Sequence, residues 1–163
     1  MKIIFLDIDG VLNSTGSYLY YMRNEKNETE SLCPIAVSNL NYIMEKTSTD
    51  VFIVISSCWR HFYNIELLRK IFKKQGFLFE EHIIDYTPTN MDRNDVRGEE
   101  IQRWLDGHKD VEKYAIIDDT DDMLESQMKN FFKTNPQDGL VYSVTRDIIM
   151  HFNKDAKVFY GSV

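Results

Sequence analysis

The stretch I3-I4-F5-L6-D7-I8-D9-G10-V11-L12-N13 decides how this chain is read. Four consecutive apolar residues, β-branched or aromatic for the most part, suit a buried strand, and two carboxylates and a glycine follow at once. If the chain stays extended to Asp9, Asp7 and Asp9 point to the same side, because side chains alternate along a strand. Gly10 then permits a turn that a Cβ would hinder. Such an end is either a metal or catalytic site or a polar strand terminus, since aspartates also form turns and helix caps.

Comparable apolar runs occur at residues 50–56 (DVFIVIS) and 113–118 (KYAIID), with a weaker one around Ile83 and Ile84. Helical periodicity lies between them. Pro34 suits a first turn ahead of Val37, Leu40 and Met44; Ile65, Leu68 and Phe72 share a face that ends near Gly76; Ile101, Trp104 and Leu105 mark a third helix closing near Gly107. A last helix is expected over about residues 143–153. Buried strands alternating with helices predict an α/β three-layer, Rossmann-like parallel sheet covered on both faces. Ligands of such sheets bind beyond the carboxyl ends of the strands.

The 163 residues allow one domain with its own core, expected to span 1–163. With 43% hydrophobic and 28% charged residues the composition is that of a soluble globular chain. The formal net charge of −7 argues against stable binding of long nucleic acid through broad phosphate neutralisation, though not against action on a polynucleotide end. No apolar run approaches the ~18 residues of a membrane helix, and Met1 leads straight into a strand, which predicts a cytoplasmic protein without a membrane partner. Cys33 and Cys58 lack CxxC spacing, which disfavours a disulfide framework or zinc site. Residues 14–32 break the alternation and are expected to form a small flap. Its Tyr18, Tyr20 and Tyr21 are expected to pack on the domain body; the other reading has them stack on a nucleobase, with Arg23 contacting phosphate.

Polar residues gather at each expected strand end: Asp7, Asp9 and Gly10; Ser56 and Ser57, followed by Arg60; the run Asp118, Asp119, Asp121 and Asp122. Arg97 stands at a helix start, where a cation and free amides can meet an anion. Phosphoryl transfer would use this set. A carboxylate nucleophile, Asp7, divides hydrolysis into formation and breakdown of an aspartyl-phosphate. Mg²⁺ prefers oxygen ligands, and Asp7 and Asp118 would bind it with Asp119 or Asp122 in support. Asp9 would exchange protons with the leaving oxygen and the attacking water. Ser56 would donate to the phosphoryl group and Arg97 would neutralise it, with Ser57, Arg60 and Gly10 as further substrate contacts. Arg60 reads equally well as an ordinary helix-start arginine.

Taken together, DIDGVLN, VISS, Arg97 and AIIDD resemble, in this order, the four motifs of the haloacid dehalogenase (HAD) superfamily of phosphohydrolases. The downstream FFKTNPQDGLVYSVTRDIIMHF is similar to that of capless members found as phosphatase domains of multidomain RNA repair proteins. The resemblance implies a Mg²⁺-dependent phosphatase with Asp7 as nucleophile, Asp9 as acid/base, and the main-chain carbonyl of Asp9 as a further metal ligand. Arg97 stands where the superfamily often has lysine, with Arg93 a competing candidate. There is no room for a large cap, so an open site is expected, suited to a nucleotide or a phosphorylated nucleic-acid end. The alternatives are a phosphatase or phosphotransferase acting on a protein or a small metabolite, and a Mg²⁺-binding regulatory module without turnover.

Overall fold

The structure is a computed structural model and describes residues 1–23, 32–89 and 96–153, with the backbone alone for 21–23. Five short strands, β1 (Lys2–Leu6), β2 (Val51–Ile55), β3 (Ile83–Tyr86), β4 (Lys113–Asp118) and β5 (Phe131–Lys133), form one parallel sheet in the order β3-β2-β1-β4-β5. The chain winds outward from β1 through β2 to β3, then crosses back to β4 on the other side of β1. The direction of winding therefore reverses between β1 and β4, the place where open α/β sheets bind ligands.

Helices α2 (Pro34–Lys46), α3 (Ile65–Lys74), α4 (Arg97–Gly107) and α5 (Tyr142–Asn153) carry the periodicities expected of them. Alternation along the strands divides the core in two. Ile4, Leu6, Ile53, Ile55, Ala115 and Ile117 pack with Leu40, Leu68, Phe72, Ile148 and Phe152 from α2, α3 and α5. On the opposite face Ile3, Phe5, Val54 and Ile116 pack with Ile101 and Trp104 of α4, whose indole meets Phe5 edge-on. Both faces are covered, as a near-continuous apolar strand demands.

Two differences from expectation concern the ends of elements. The first strand stops at Leu6, because the Ile8 carbonyl accepts from the amides of Val11, Leu12 and Asn13 and winds the chain into a tight turn. The expected flap contains a helix, α1 (Thr15–Arg23); the rest of it, 24–31, lies outside the described residues. Tyr18 and Tyr20 are 56% and 61% exposed, less covered than the expected packing on the body implies. The side chains of Tyr21 and Arg23 lie outside the description. Among the described residues no helix is long and apolar enough to cross a membrane.

Candidate active site

Register places the polar strand ends in one row. Leu6 pairs with Ile55 on one side and Ile117 on the other, and the ladder runs on through Ser56 N to Leu6 O at 2.8 Å and Asp7 N to Ile117 O at 3.0 Å. Asp7 therefore lies between Ser56 and Asp118. Thr87 extends the row on the β3 side, its amide donating to Ile55 O at 2.9 Å.

Oxygens of Asp7, Asp118 and Asp119 lie within 4.8 Å of one another. Arg97 reaches this cluster from the start of α4, its Nε 3.2 Å from Asp118 Oδ2 and its Nη2 3.9 Å from Asp7 Oδ1. Asp118 is fully buried, and its Oδ1 accepts from the amide and hydroxyl of Thr120 at 2.9 and 2.7 Å. Its Oδ2 has the ion pair alone, without the alignment of a hydrogen bond. Burial, then the Asp118 charge, push the Asp7 carboxyl up to about 7 against the pull of Arg97. Asp118 is likewise raised by burial, with Arg97 and Thr120 opposing. Crowded acids with an unsatisfied buried oxygen form a donor set suited to a hard divalent cation.

The run Asp118-Asp119-Thr120-Asp121-Asp122 divides its labour. Asp122 Oδ2 accepts from the Arg97 amide at 3.0 Å, and its backbone carbonyl accepts from Gly98 N at 3.1 Å, so it caps α4. Asp121 pairs with Lys133 at the surface. Of the two candidates for the second acid, Asp119 joins the cluster and Asp122 does not. Gln127, fully buried, donates to Gly98 O at 2.8 Å and accepts from Leu124 N at 3.1 Å. A Cβ at Gly98 would stand 2.5 Å from Leu124 N, so only glycine lets the turn of α4 that carries Arg97 come this close. Arg93, the competitor of Arg97, lies outside the described residues.

Asp9 differs from Asp7 in its surroundings. Its exposed carboxylate accepts from Trp59 Nε1 at 3.1 Å, Asn13 Nδ2 at 3.2 Å and Cys58 Sγ at 3.5 Å, and it stands outside the carboxylate cluster. Strand alternation does not govern Asp9, because β1 ends at Leu6 and the chain turns before it. Gly10, at φ +75°, is buried, and a Cβ there would overlap the Asp119 carboxylate. It allows the turn and lets Asp119 approach. Ser56 and Ser57 are buried, and neither hydroxyl has a full hydrogen-bond partner among the described residues, although Ser57 lies close enough to Asp7 to favour its charged form.

Arg60 requires a correction. It does not reach toward the site as a substrate contact: its side chain is 5% exposed, donates to Thr87 Oγ1 and holds Glu100 Oε1 at 2.6 Å. The other oxygen of Glu100 lies 3.8 Å from Arg97 Nη1. The ends of β2 and β3 are thus tied to the arginine of α4 through a buried carboxylate. Sequence reasoning passed over Glu100, Thr87, Trp59 and Asn13; the i,i+3 spacing of Arg97 and Glu100 was the one signal available.

A family model described as the HAD domain in Swiss Army Knife RNA repair proteins matches residues 3–143. The chain belongs to this family. The match runs from the first strand into α5, across every strand end described above. No curated protein and no solved structure matches the chain. As a HAD domain it carries the fold of a phosphatase-type protein, and its acidic cluster stands at the reversal point of the sheet.

Proposed function

We propose that this HAD domain is a Mg²⁺-dependent phosphomonoesterase acting on a nucleotide or a phosphorylated nucleic-acid end. The observation that carries the reading is the convergence of Asp7, Asp118 and Asp119 with Arg97 at adjacent strand ends. Asp7, Asp118 and Asp119, with the main-chain carbonyl of Asp9, would hold the cation, and the unsatisfied Asp118 Oδ2 fits that use. Bound there, Mg²⁺ supplies the positive charge that lets a carboxylate and a phosphate approach.

Asp7 attacks phosphorus, and the bond to the leaving oxygen breaks as Asp9 gives that oxygen its proton. Asp9 then takes a proton from the water that attacks the aspartyl-phosphate, releasing phosphate and restoring Asp7. Arg97 and the hydroxyl of Ser56 bind the phosphoryl oxygens, with Ser57 beside Asp7. Arg60 acts at one remove, by fixing Glu100 beside Arg97.

The link to RNA repair proteins favours a nucleotide or nucleic-acid phosphate over a metabolite. The net charge of −7 favours action at an end over stable binding along a strand. The test is phosphate release from nucleoside monophosphates, 3′- and 5′-phosphorylated oligonucleotides and a phosphopeptide, with and without Mg²⁺ and with Asp7→Asn as control. Turnover by Asp7→Asn at the wild-type rate would sink the mechanism.

A further inference from the structure

The geometry points to a leaving-group subsite between α1 and the 135–140 loop that receives an uncharged nucleoside ring against Tyr18; this rests on the phosphatase reading of the site. A groove of about 250 Å³ opens directly beside Asp9 and is lined by Asn13, Ser14, Thr15, Tyr18 and Pro136. Asp9 serves the leaving oxygen, so what is attached to that oxygen must lie on Asp9's side of the phosphate. On the other side Asp7 is enclosed by Asp118, Asp119 and Arg97.

Backbone hydrogen bonds tie the walls of the groove together. The amides of Thr15 and Gly16 donate to the carbonyls of Pro136 and Gln137 at 2.9 and 3.1 Å, which ties the start of α1 to the opposite wall. Leu140 N donates to Val11 O at 2.8 Å, and the loop is seated through Gly139, where a Cβ would stand 2.5 Å from Val11 O. Tyr18 lines this groove with more than half its surface in solvent.

Charge defines the occupant. Among the described residues the lining contains the carboxylate of Asp9 and no lysine or arginine, a set that favours a neutral body and opposes a second phosphate. A planar ring suits Tyr18, since stacking on an aromatic side chain is available to every base. The subsite therefore prefers a nucleoside carrying one phosphate over a nucleoside di- or triphosphate, and over a small aliphatic phosphate.

The experiment compares kcat/KM of wild type, Tyr18→Ala and Tyr18→Trp on nucleoside 3′- and 5′-monophosphates, glycerol 2-phosphate and a phosphotyrosine peptide. Tyr18→Ala is expected to lose about tenfold more on nucleotides than on glycerol 2-phosphate, chiefly through KM, and Tyr18→Trp to retain nucleotide selectivity. Equal losses on both, no loss on nucleotides, or a wild-type preference for the phosphopeptide overturns the subsite. If wild type hydrolyses none of these substrates and no 3′- or 5′-phosphorylated oligonucleotide, the phosphatase reading fails and the groove is judged by binding alone. Titration of Tyr18→Trp with a neutral nucleoside should then quench fluorescence beyond that of wild type, which carries Trp59 and Trp104; no added quenching overturns the subsite.

Discussion

Arg60 and Glu100 face each other at 2.6 Å with side chains only 5% and 10% exposed, and the second oxygen of Glu100 looks toward Arg97. A charge pair so far out of water tolerates the loss of neither member. Glu100→Ala would strand the Arg60 guanidinium and is expected to cost about 3–5 kcal/mol of stability, read as a lowered midpoint in urea. Joint replacement of Arg60 and Glu100 by apolar residues should cost less than Glu100→Ala alone. A double variant as unstable as the sum of the singles would contradict the pairing.

Asp7 is held among like charges, so its removal should separate stability from activity. Asp7→Asn is expected to lower Mg²⁺-dependent phosphate release at least about a thousandfold, as loss of a nucleophile does. Without metal, at pH 8, the same variant should melt above wild type, since an amide needs no counter-charge. Melting curves in EDTA together with a phosphate-release assay check both halves.

The pH dependence has a definite sign. The carboxyl of Asp7 is raised in the fold to about 7 from an unfolded value near 3.8. Between these values the folded state binds more protons, so this group's contribution falls as pH rises toward 7 and is fully present only below about 4. Carboxylates with lowered values, such as Asp121 beside Lys133, act in the opposite sense and near the acid end of the range. The informative quantity is therefore the melting temperature of wild type minus that of Asp7→Asn in EDTA. It should decline between about pH 5 and 7.5, and Mg²⁺ should reverse the decline. A difference that rises across this window would refute the assignment.

Gly10→Ala places a methyl against the Asp119 carboxylate and forces a side chain into a left-handed conformation. The expected cost is about 1–3 kcal/mol, with a weakened metal-induced rise in melting temperature because Asp119 must move. Gly107→Ala, where a Cβ meets nothing within 4 Å, is the control and should leave that rise intact.

What the sequence disclosed follows what local chemistry can encode. Ile3–Leu6, Val51–Ile55 and the run before Asp118 read as buried strands because each is apolar on both faces, and the helices read from one-sided periodicity. Asp7, Asp118, Ser56 and Arg97 were legible as polar residues at strand ends and at a helix start. β5 was missed: three residues, Phe131–Lys133, are too few to show a period and exist as a strand only through pairing with β4. The Arg60–Glu100 contact joins residues 40 apart that interrupt no local pattern. The role of Asp122 depended on where α4 begins in space, and the division between it and Asp119 was accordingly open.

Thr134, beyond the last strand, donates through its hydroxyl to the Gly10 carbonyl at 3.0 Å, and Leu140 fastens Val11, so the turn that bears Asp9 is closed by residues over 120 positions downstream. During synthesis the first strand and its acids leave the ribosome early, yet their geometry cannot settle until the chain has grown past residue 140. On a growing chain the turn that carries Asp9 would therefore take its final form only after Thr134 and Leu140 have been added.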